Sequence, residues 1–482
     1  MDVEVEKPLR LNRAGTKPAA REATAKPHMR LSENAIMGMA LWILLWLGYN
    51  TGPERILKPD FPANVTELIH GVRAYFPILA GWIAIVVIIA RGRRLFSWIM
   101  GPLGLILFYS IVGLASSAAL SPDPVIALYY GANYLAIVLV LLAVVIVDDP
   151  RQDLLHVLRL TWVIGTMLTF ALLGAIPILG SSVIIETEGT PFGMRAYGGG
   201  QTILGMASSR NTGFARYAAV SALWVLPGLL RKGKLSVRIA WGFVFAASVY
   251  ALVLANGRTE ILAFIASLVI ILAAEKARRL LYFLAGIAVA IILGLRGFYS
   301  EFYLYFTRTG HLDLTMTGRT LIWEEGWKVL LGSPWVGSGF QADRLLMGGY
   351  HMHNAFLHVL VQSGVLGGGA VIISVAMIWY FTIYYFLWHQ PADKSLIPAE
   401  IPAILLFTTV SSITESTFAY YSAAWLLSAP IFAYVMALHQ HMIRVSRKAA
   451  QARGLRARLA RSRSGDLGPE RPLAPSGGEA TG

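Results

Sequence analysis

A succession of long apolar runs, separated by short polar loops, constrains this chain more than any other feature. A run of about 20 residues without charge crosses a bilayer as a helix, because every backbone N–H and C=O must find its partner inside the segment. Twelve candidate spans can be drawn, at roughly 35–49, 74–90, 98–120, 124–147, 157–179, 213–231, 238–255, 259–274, 279–295, 366–388, 400–418 and 420–440. Charged residues make up only 14% of the 482, against 56% hydrophobic, where a soluble domain carries about 25% charged. The expected fold is all-α: a polytopic membrane protein of about 12 transmembrane helices with one large helical loop. The expected division is a disordered cytoplasmic tail over 1–33, nine spans within 34–295, a large external loop over 296–365, three spans within 366–441 and a basic disordered cytoplasmic tail over 442–482. The first apolar run begins only after about thirty polar residues, so it is expected to remain as an anchor and not to be a cleaved leader.

Charge sets the orientation. With the N-terminus inside, the cytoplasmic loops hold Arg91, Arg93 and Arg94, then Arg151, then Arg231, Lys232, Lys234 and Arg238, then Lys276, Arg278 and Arg279, then Lys394. Two short loops on the other side, 121–124 and 415–421, contain no basic residue. This alternation places both termini in the cytoplasm and makes the number of spans even. The net charge of +14 is no sign of nucleic acid. The 1–33 tail has seven Lys/Arg against five Asp/Glu, and the 442–482 tail nine against three, so the tails supply +8 of it. Basic tails beside apolar spans serve topology first and contact with anionic membrane lipids second. The chain has no cysteine, which excludes disulfides, thiolate nucleophiles and Cys-ligated metals.

Elsewhere on the external side the charge rule is broken. Arg55, Lys58 and Arg73 lie in the first loop, Arg195 and Arg210 in the loop near 180–212, and Arg216 just inside the next span. Arg258 sits in a minimal turn, and Arg296, Arg308, Arg319, Lys328 and Arg344 lie in the large loop. Arginine forks match phosphate oxygens in bidentate geometry, so an anionic ligand is one use for them. Pairing with Glu186, Glu188, Glu260, Glu301, Glu324, Glu325 or Asp343 is the other.

The large polar-aromatic stretch from Thr317 to Gly368 is where chemistry is expected. Thr317 can cap a helix running from about Gly318 to Leu331, which Gly332 and Pro334 stop. A glycine turn, Gly337 to Phe340, follows, and then His351-Met352-His353-Asn354 immediately before a second helix that ends near Gly364. His353 at a helix N-terminus is the candidate general base, since the positive end of the helix dipole disfavours imidazolium there. The plainer reading is that this segment only caps and packs the helix. His351 is a possible partner for it, and His358, five residues further along, is expected to face elsewhere and pack. A metal site drawing on His351, His353, His311 and Asp313 has no zinc-motif spacing, so no metal and no cofactor is expected. Walker A, dinucleotide and nucleophile-elbow motifs are missing, and Gly198-Gly199-Gly200 is a weak phosphate cradle. Trp323, Trp327, Leu330 and Leu331 are expected to share one helix face, on the membrane interface or neighbouring spans, or else stacking on sugar.

These residues resemble the O-antigen ligase and polysaccharide polymerase superfamily of bacterial envelope glycosyltransferases. The family's ligase pattern is His, then Asn, Ser or Gln, nine residues, Gly, two residues, then Gly, Thr or Tyr; His353-Asn354, Gly364 and Gly367 fit it. Arg258 to Leu262 fits the family's Arg-x-x-x-Leu in a short external turn. Thr317-Gly318-Arg319, Ile322-Trp323, Pro334 and Gly337-Ser338-Gly339-Phe340 look most like the exopolysaccharide polymerase branch. The resemblance covers about 35–440 and implies a GT-C-like architecture in the bacterial inner membrane with the site on the periplasmic face. It implies a glycan donor on undecaprenyl diphosphate, and as acceptor either lipid A–core or a second lipid-linked glycan. It further implies metal-independent inverting transfer with His353 as base, and Arg258 with one of Arg210, Arg195, Arg216 or Arg319 on the diphosphate. Asn354, His351 and Trp323 would support the loop. Ser209-Arg210-Asn211 departs from the family, where Lys or Pro often replaces Arg210. A polysaccharide-precursor transporter or flippase is the alternative; it would call for charge deep inside spans and related halves, and neither is visible.

Overall fold

The computed structural model describes residues 31–49, 62, 65–91, 98–147, 149–179, 184–185, 209–255, 257–275, 319–388 and 397–463. Helices dominate. They are α1 (Glu33–Leu47), α2 (Val65–Ala74), α3 (Phe76–Arg91), α4 (Pro102–Leu120), α5 (Pro124–Val145), α6 (Arg151–Leu179), α7 (Asn211–Leu230), α8 (Leu235–Leu254) and α9 (Arg258–Ala274). After these come α10 (Arg319–Gly332), α11 (Ala342–Leu346), α12 (Ala355–Ile383, continued by a π turn at Tyr384–Trp388), α13 (Glu400–Thr414) and α14 (Ala423–Arg463). A two-residue parallel bridge joins β1 (Ile184–Ile185) to β2 (Ser209–Arg210). Among the described residues, eight helices are long and apolar enough to cross a membrane, and α1 and α13 are shorter apolar ones. The chain is a multi-pass membrane protein. Of the twelve expected spans, 279–295 lies outside the described residues; each of the others has a helix at its place.

Local chemistry sets the helix starts. Ser32 and Asp123 accept the N–H of Ala35 and Ile126 as N-caps. Pro102 and Pro124 occupy first-turn positions, where a missing N–H costs nothing. The final helix departs from expectation. It runs to Arg463, well beyond the boundary at 441. The first half of the basic tail is rich in Ala and Arg, both good helix formers, so a helix already nucleated in the bundle continues through it.

The bundle packs α4 against α5 and α12, α3 against α5, α7 against α8, and α9 against α13. Its two ends differ in chemistry. At one end Asp153 accepts from Ser32 and Asn34, at 2.6 and 2.7 Å, and Arg91 reaches Asn34. At the other lies the segment 319–354, docked by its glycine turn. Phe340 is fully buried, and its ring fills the space left by Gly113 of α4 and Gly131 of α5.

That docking explains a break inside α12. Ser363 and Gly364 leave helical geometry, with Gly364 at φ +61°, so the expected second loop helix and the following span are two helices joined at a kink. The break frees main-chain groups, and the preceding loop takes them up. Ser338 and Gly339 N–H donate to the carbonyls of Val361 and Gln362 at 2.9 Å each. Val365 and Leu366 N–H donate to Pro334 and Trp335 at 2.8 and 3.1 Å. Any side chain at Gly364 would meet the Trp335 carbonyl at 2.2 Å, and any at Gly337 would meet Ser363 N at 2.4 Å. The sequence pattern Pro334, Gly337, Gly339-Phe340 and Gly364 is thus one device, a loop hydrogen-bonded edge-on to a broken helix.

Candidate functional site

The turn between α13 and α14 carries the centre of the site. Residues Glu415 to Ala419 are buried without being helical, so their backbone groups need partners. Tyr134 and Tyr109, from α5 and α4, donate to the carbonyls of Phe418 and Ala419 at 3.0 and 2.8 Å. Ser422 donates to Thr417 O at 2.8 Å. These bonds hold Glu415 in place at the end of α13.

Three cationic or imidazole groups converge on Glu415. Arg216 Nη2 lies 3.0 Å from Oε2, Arg319 Nη2 lies 3.3 Å from Oε1, and His353 Nδ1 lies 3.3 Å from Oε1. Arg216 also reaches Glu260 Oε1 at 3.3 Å. Burial alone would raise the Glu415 pKa; Arg216, the His353 contact and Arg319 outweigh it and hold the carboxyl well below its usual range. An ionised carboxylate only accepts, so Nδ1 of His353 carries the proton in this bond. A neutral His353 then presents Nε2 as a free base. Its side chain is 26% exposed, so a substrate can reach it.

His353 adopts φ +49°, a conformation uncommon outside glycine. Its neighbours hold it there. Asn354 caps α12 by accepting Leu357 N–H at 2.9 Å and donates to Ile413 O at 3.1 Å. On the other side both main-chain groups of Met352 are taken. Trp323 Nε1–H donates to its carbonyl at 2.9 Å, and its N–H donates to Asp343 Oδ2 at 3.2 Å.

Asp343 is a second buried carboxylate. Its Oδ2 accepts from His351 Nδ1 at 3.0 Å, and its Oδ1 lies 3.2 Å from His358 Nε2. Burial raises its pKa, and contacts with His358 and His351 reverse this and hold it well below the ordinary carboxylate range. Burial pushes His351 down to about 3, so it is a neutral imidazole at physiological pH. The rings of His351 and His353 meet edge to face at 4.6 Å, and that of His358 lies 5.7 Å from His351. His358 is buried as expected, yet it faces the other histidines. The reason is that 351–354 is not helical, so helix spacing from His353 does not set their relative direction.

Among the described residues, two groups stand close enough to share a cation, with ligand atoms within 4.8 Å: Asp343, His351 and His358, and His351, His353 and Glu415. The second is a poor fit, because guanidinium groups lie against both Glu415 oxygens and would repel a cation. In the first, N–H groups of His351 and Met352 already point at the carboxylate. The second set reads as an ion-pair network, and in the first the Oδ2 of Asp343 is already taken by two N–H donors. His311 and Asp313 lie outside the described residues.

The structure gathers His353, His351, Asn354, Trp323, Arg319 and Arg216 at one place. Arg258 opens α9 two residues before Glu260, which touches Arg216. The main chain of Arg210 lies in β2, immediately before α7; its side chain, Arg195, Gly198 to Gly200 and Thr317 lie outside the described residues. Some of the charge expected on the external side has the plainer use: Lys328 pairs with Glu324 and Glu325, and Arg73 donates to the Leu47 and Tyr49 carbonyls that end α1. The expected face of Trp323, Trp327, Leu330 and Leu331 splits. Trp323 and Leu330 pack inward around Met352, while Trp327 and Leu331 are 52% and 61% exposed. The inward stripe runs through Trp323, Gly326 and Leu330, and Gly326 is where the Met352 side chain needs room. Sequence reading missed Glu415 as a site residue. Its only signal was an acidic residue alone in a short loop without basic residues.

A helical membrane bundle with a histidine, arginines and carboxylates assembled beside a docked loop at one end defines a class: a polytopic membrane protein with a polar, charge-paired site. Comparison with known proteins narrows it. Residues 243–372 match the O-antigen ligase family, a stretch holding Arg258, Arg319, Trp323 and His353 and ending before Glu415. The exopolysaccharide production protein ExoQ of Rhizobium meliloti (strain 1021) is 29% identical over a segment that is 14% of this chain and 19% of that protein. The match therefore spans about a fifth of that relative's length. Both support the resemblance to the O-antigen ligase and polysaccharide polymerase superfamily.

Proposed function

We propose that this protein is a glycosyltransferase of the inner membrane that moves a glycan from undecaprenyl diphosphate to an acceptor hydroxyl on the periplasmic face. The observation that carries the reading is the bond from His353 to Glu415, with Arg216 and Arg319 on the same carboxylate. A carboxylate behind an imidazole sets its tautomer and stabilises the imidazolium that forms, as in other His–carboxylate pairs. His353 Nε2 takes the proton of the acceptor hydroxyl. The oxygen attacks the anomeric carbon, the bond to the diphosphate oxygen breaks with inversion, and undecaprenyl diphosphate leaves.

The leaving diphosphate needs positive charge. Arg216 is buried between Glu260 and Glu415, so its role is to hold Glu415. Arg319 is 23% exposed and keeps part of its fork open to a ligand. Arg258, at the first turn of α9, adds its charge where helix N–H groups also favour anions. Arg258 and Arg319 are therefore the diphosphate-binding pair, and guanidinium charge does the work that a metal does elsewhere. The acceptor is lipid A–core in a ligase, or a second lipid-linked repeat in a polymerase; the ExoQ match favours the second.

The test is transfer by the purified protein in lipid, with undecaprenyl-diphosphate-linked glycan, chelator and either acceptor. Wild type should transfer glycan, and His353→Ala should lose at least about 100-fold, the usual scale for a general base. A ladder of longer lipid-linked chains identifies a polymerase, and product on lipid A–core a ligase. Wild-type rates in His353→Ala would remove the base assignment, and loss of transfer on chelation would remove the metal-free mechanism.

A further inference from the structure

Asp343 has no place in the chemistry above, yet it is among the most buried charges in the protein. It lies in α11, a single turn inside the docked loop, and its side chain is 0% exposed. The close polar contacts around it form one continuous path. Tyr109 contacts both Gln362 Oε1 and Ala419 O, and Gln362 Nε2 lies 2.7 Å from His358 Nε2. A tyrosine has one proton to give, and two nitrogens need one acceptor between them. Turning the Gln362 amide over resolves both conflicts. Tyr109 then donates to Ala419 O and accepts from the amide nitrogen. His358 Nε2–H donates to the amide oxygen, and the same nitrogen lies 3.2 Å from Asp343 Oδ1. Asp343 Oδ2 accepts from His351 and from Met352 N–H. Histidines and a backbone N–H surround the carboxylate, and the path ends on the backbone one residue before His353.

We infer that Asp343 is a positioning residue for the transfer reaction, acting through His351 and Met352 to hold His353 in its φ +49° conformation with Nδ1 on Glu415. The inference rests on the reading of His353 as base. A non-glycine residue in the left-handed region persists only when its surroundings over-determine it. On the C-terminal side Asn354 does this from the helix cap. On the N-terminal side the restraint is the pair of bonds on Met352, from Trp323 and to Asp343. Relaxation of His353 would carry its ring off Glu415, and a misplacement of about 1 Å in a catalytic group costs on the order of 100-fold in rate.

The experiment uses the full-length protein in the transfer assay above, with Asp343→Asn, which keeps the shape and removes the charge. Folding is checked by gel filtration and thermal midpoint. The expected result is a kcat lowered by roughly 100-fold with the donor KM changed less than about twofold, because ground-state binding is untouched. Added to His353→Ala, Asp343→Asn should lower the residual rate no further, since the group it positions is already gone. A folded Asp343→Asn with wild-type kcat overturns the inference, and so does a loss that multiplies with that of His353→Ala. If Asp343→Asn does not fold, Trp323→Phe removes the other bond on Met352 and should lower kcat in the same way; an unchanged kcat there overturns the inference. Wild-type activity in His353→Ala would instead count against the base assignment.

Discussion

The site has two buried carboxylates, and they are built on opposite plans. Glu415 lies among arginines at the mouth of the site, and both its oxygens face guanidinium groups. Asp343 lies deeper in the docked loop, where histidines and a backbone N–H surround it. Each is held well below its ordinary pKa against the push of burial. At Glu415 the lowering comes first from Arg216, with His353 and Arg319 adding to it, whereas at Asp343 it comes from the electrostatic effect of His358 together with hydrogen bonds from His351 and His358. The first plan suits a site that must receive and release a charged leaving group. The second suits a strut that does not change during turnover.

The contrast can be broken at Glu415 first. Glu415→Ala leaves Arg216 and Arg319 without their shared partner, and removing one member of a buried ion pair costs about 3–5 kcal/mol. The thermal midpoint of the purified protein should fall steeply, and transfer should be lost with it. A midpoint like that of wild type would mean that the arginines find other partners and that Glu415 is no hub.

A smaller effect, with a definite sign, sharpens the other side. Buried His351 stays neutral down to about pH 3, while in the unfolded chain it protonates near its ordinary value of about 6.5. Between these values the unfolded state binds more protons, so stability falls as pH drops, by up to about 1.4 kcal/mol per unit. His351→Asn places an amide N–H where Nδ1–H was and does not titrate. Its thermal midpoint should therefore change less between pH 7 and 5 than that of wild type. Equal pH dependence in both would show that His351 is not the group responsible.

The smallest effect is expected at Lys328, whose partners Glu324 and Glu325 are as exposed as it is. Lys328→Ala should leave the thermal midpoint and the transfer rate unchanged, since exposed pairs contribute little. A clear loss of rate would give this lysine a part in binding substrate and would extend the charged region beyond the Glu415 cluster.

Much of the architecture was legible in the residues. Apolar runs report their solvent, and a bilayer imposes its demand segment by segment, so the spans could be placed without knowing their neighbours. Gly364 announced the end of a helix because glycine is the residue that backbone there requires. His353 and Arg319 stood out as polar residues in an unusual setting. Three things were not legible. Glu415 meets His353 across 62 residues of chain, and no spacing rule connects them. Asp343 looked like one more partner for an arginine, and only the fold put histidines and Met352 around it. The aromatic face of α10 was misassigned because the docked loop, not the helix itself, chose which side to bury. Hydropathy and turn chemistry are local, and one dimension is enough to read them. The pairing of charges depends on which chain ends a bundle brings together, and that was decided by packing.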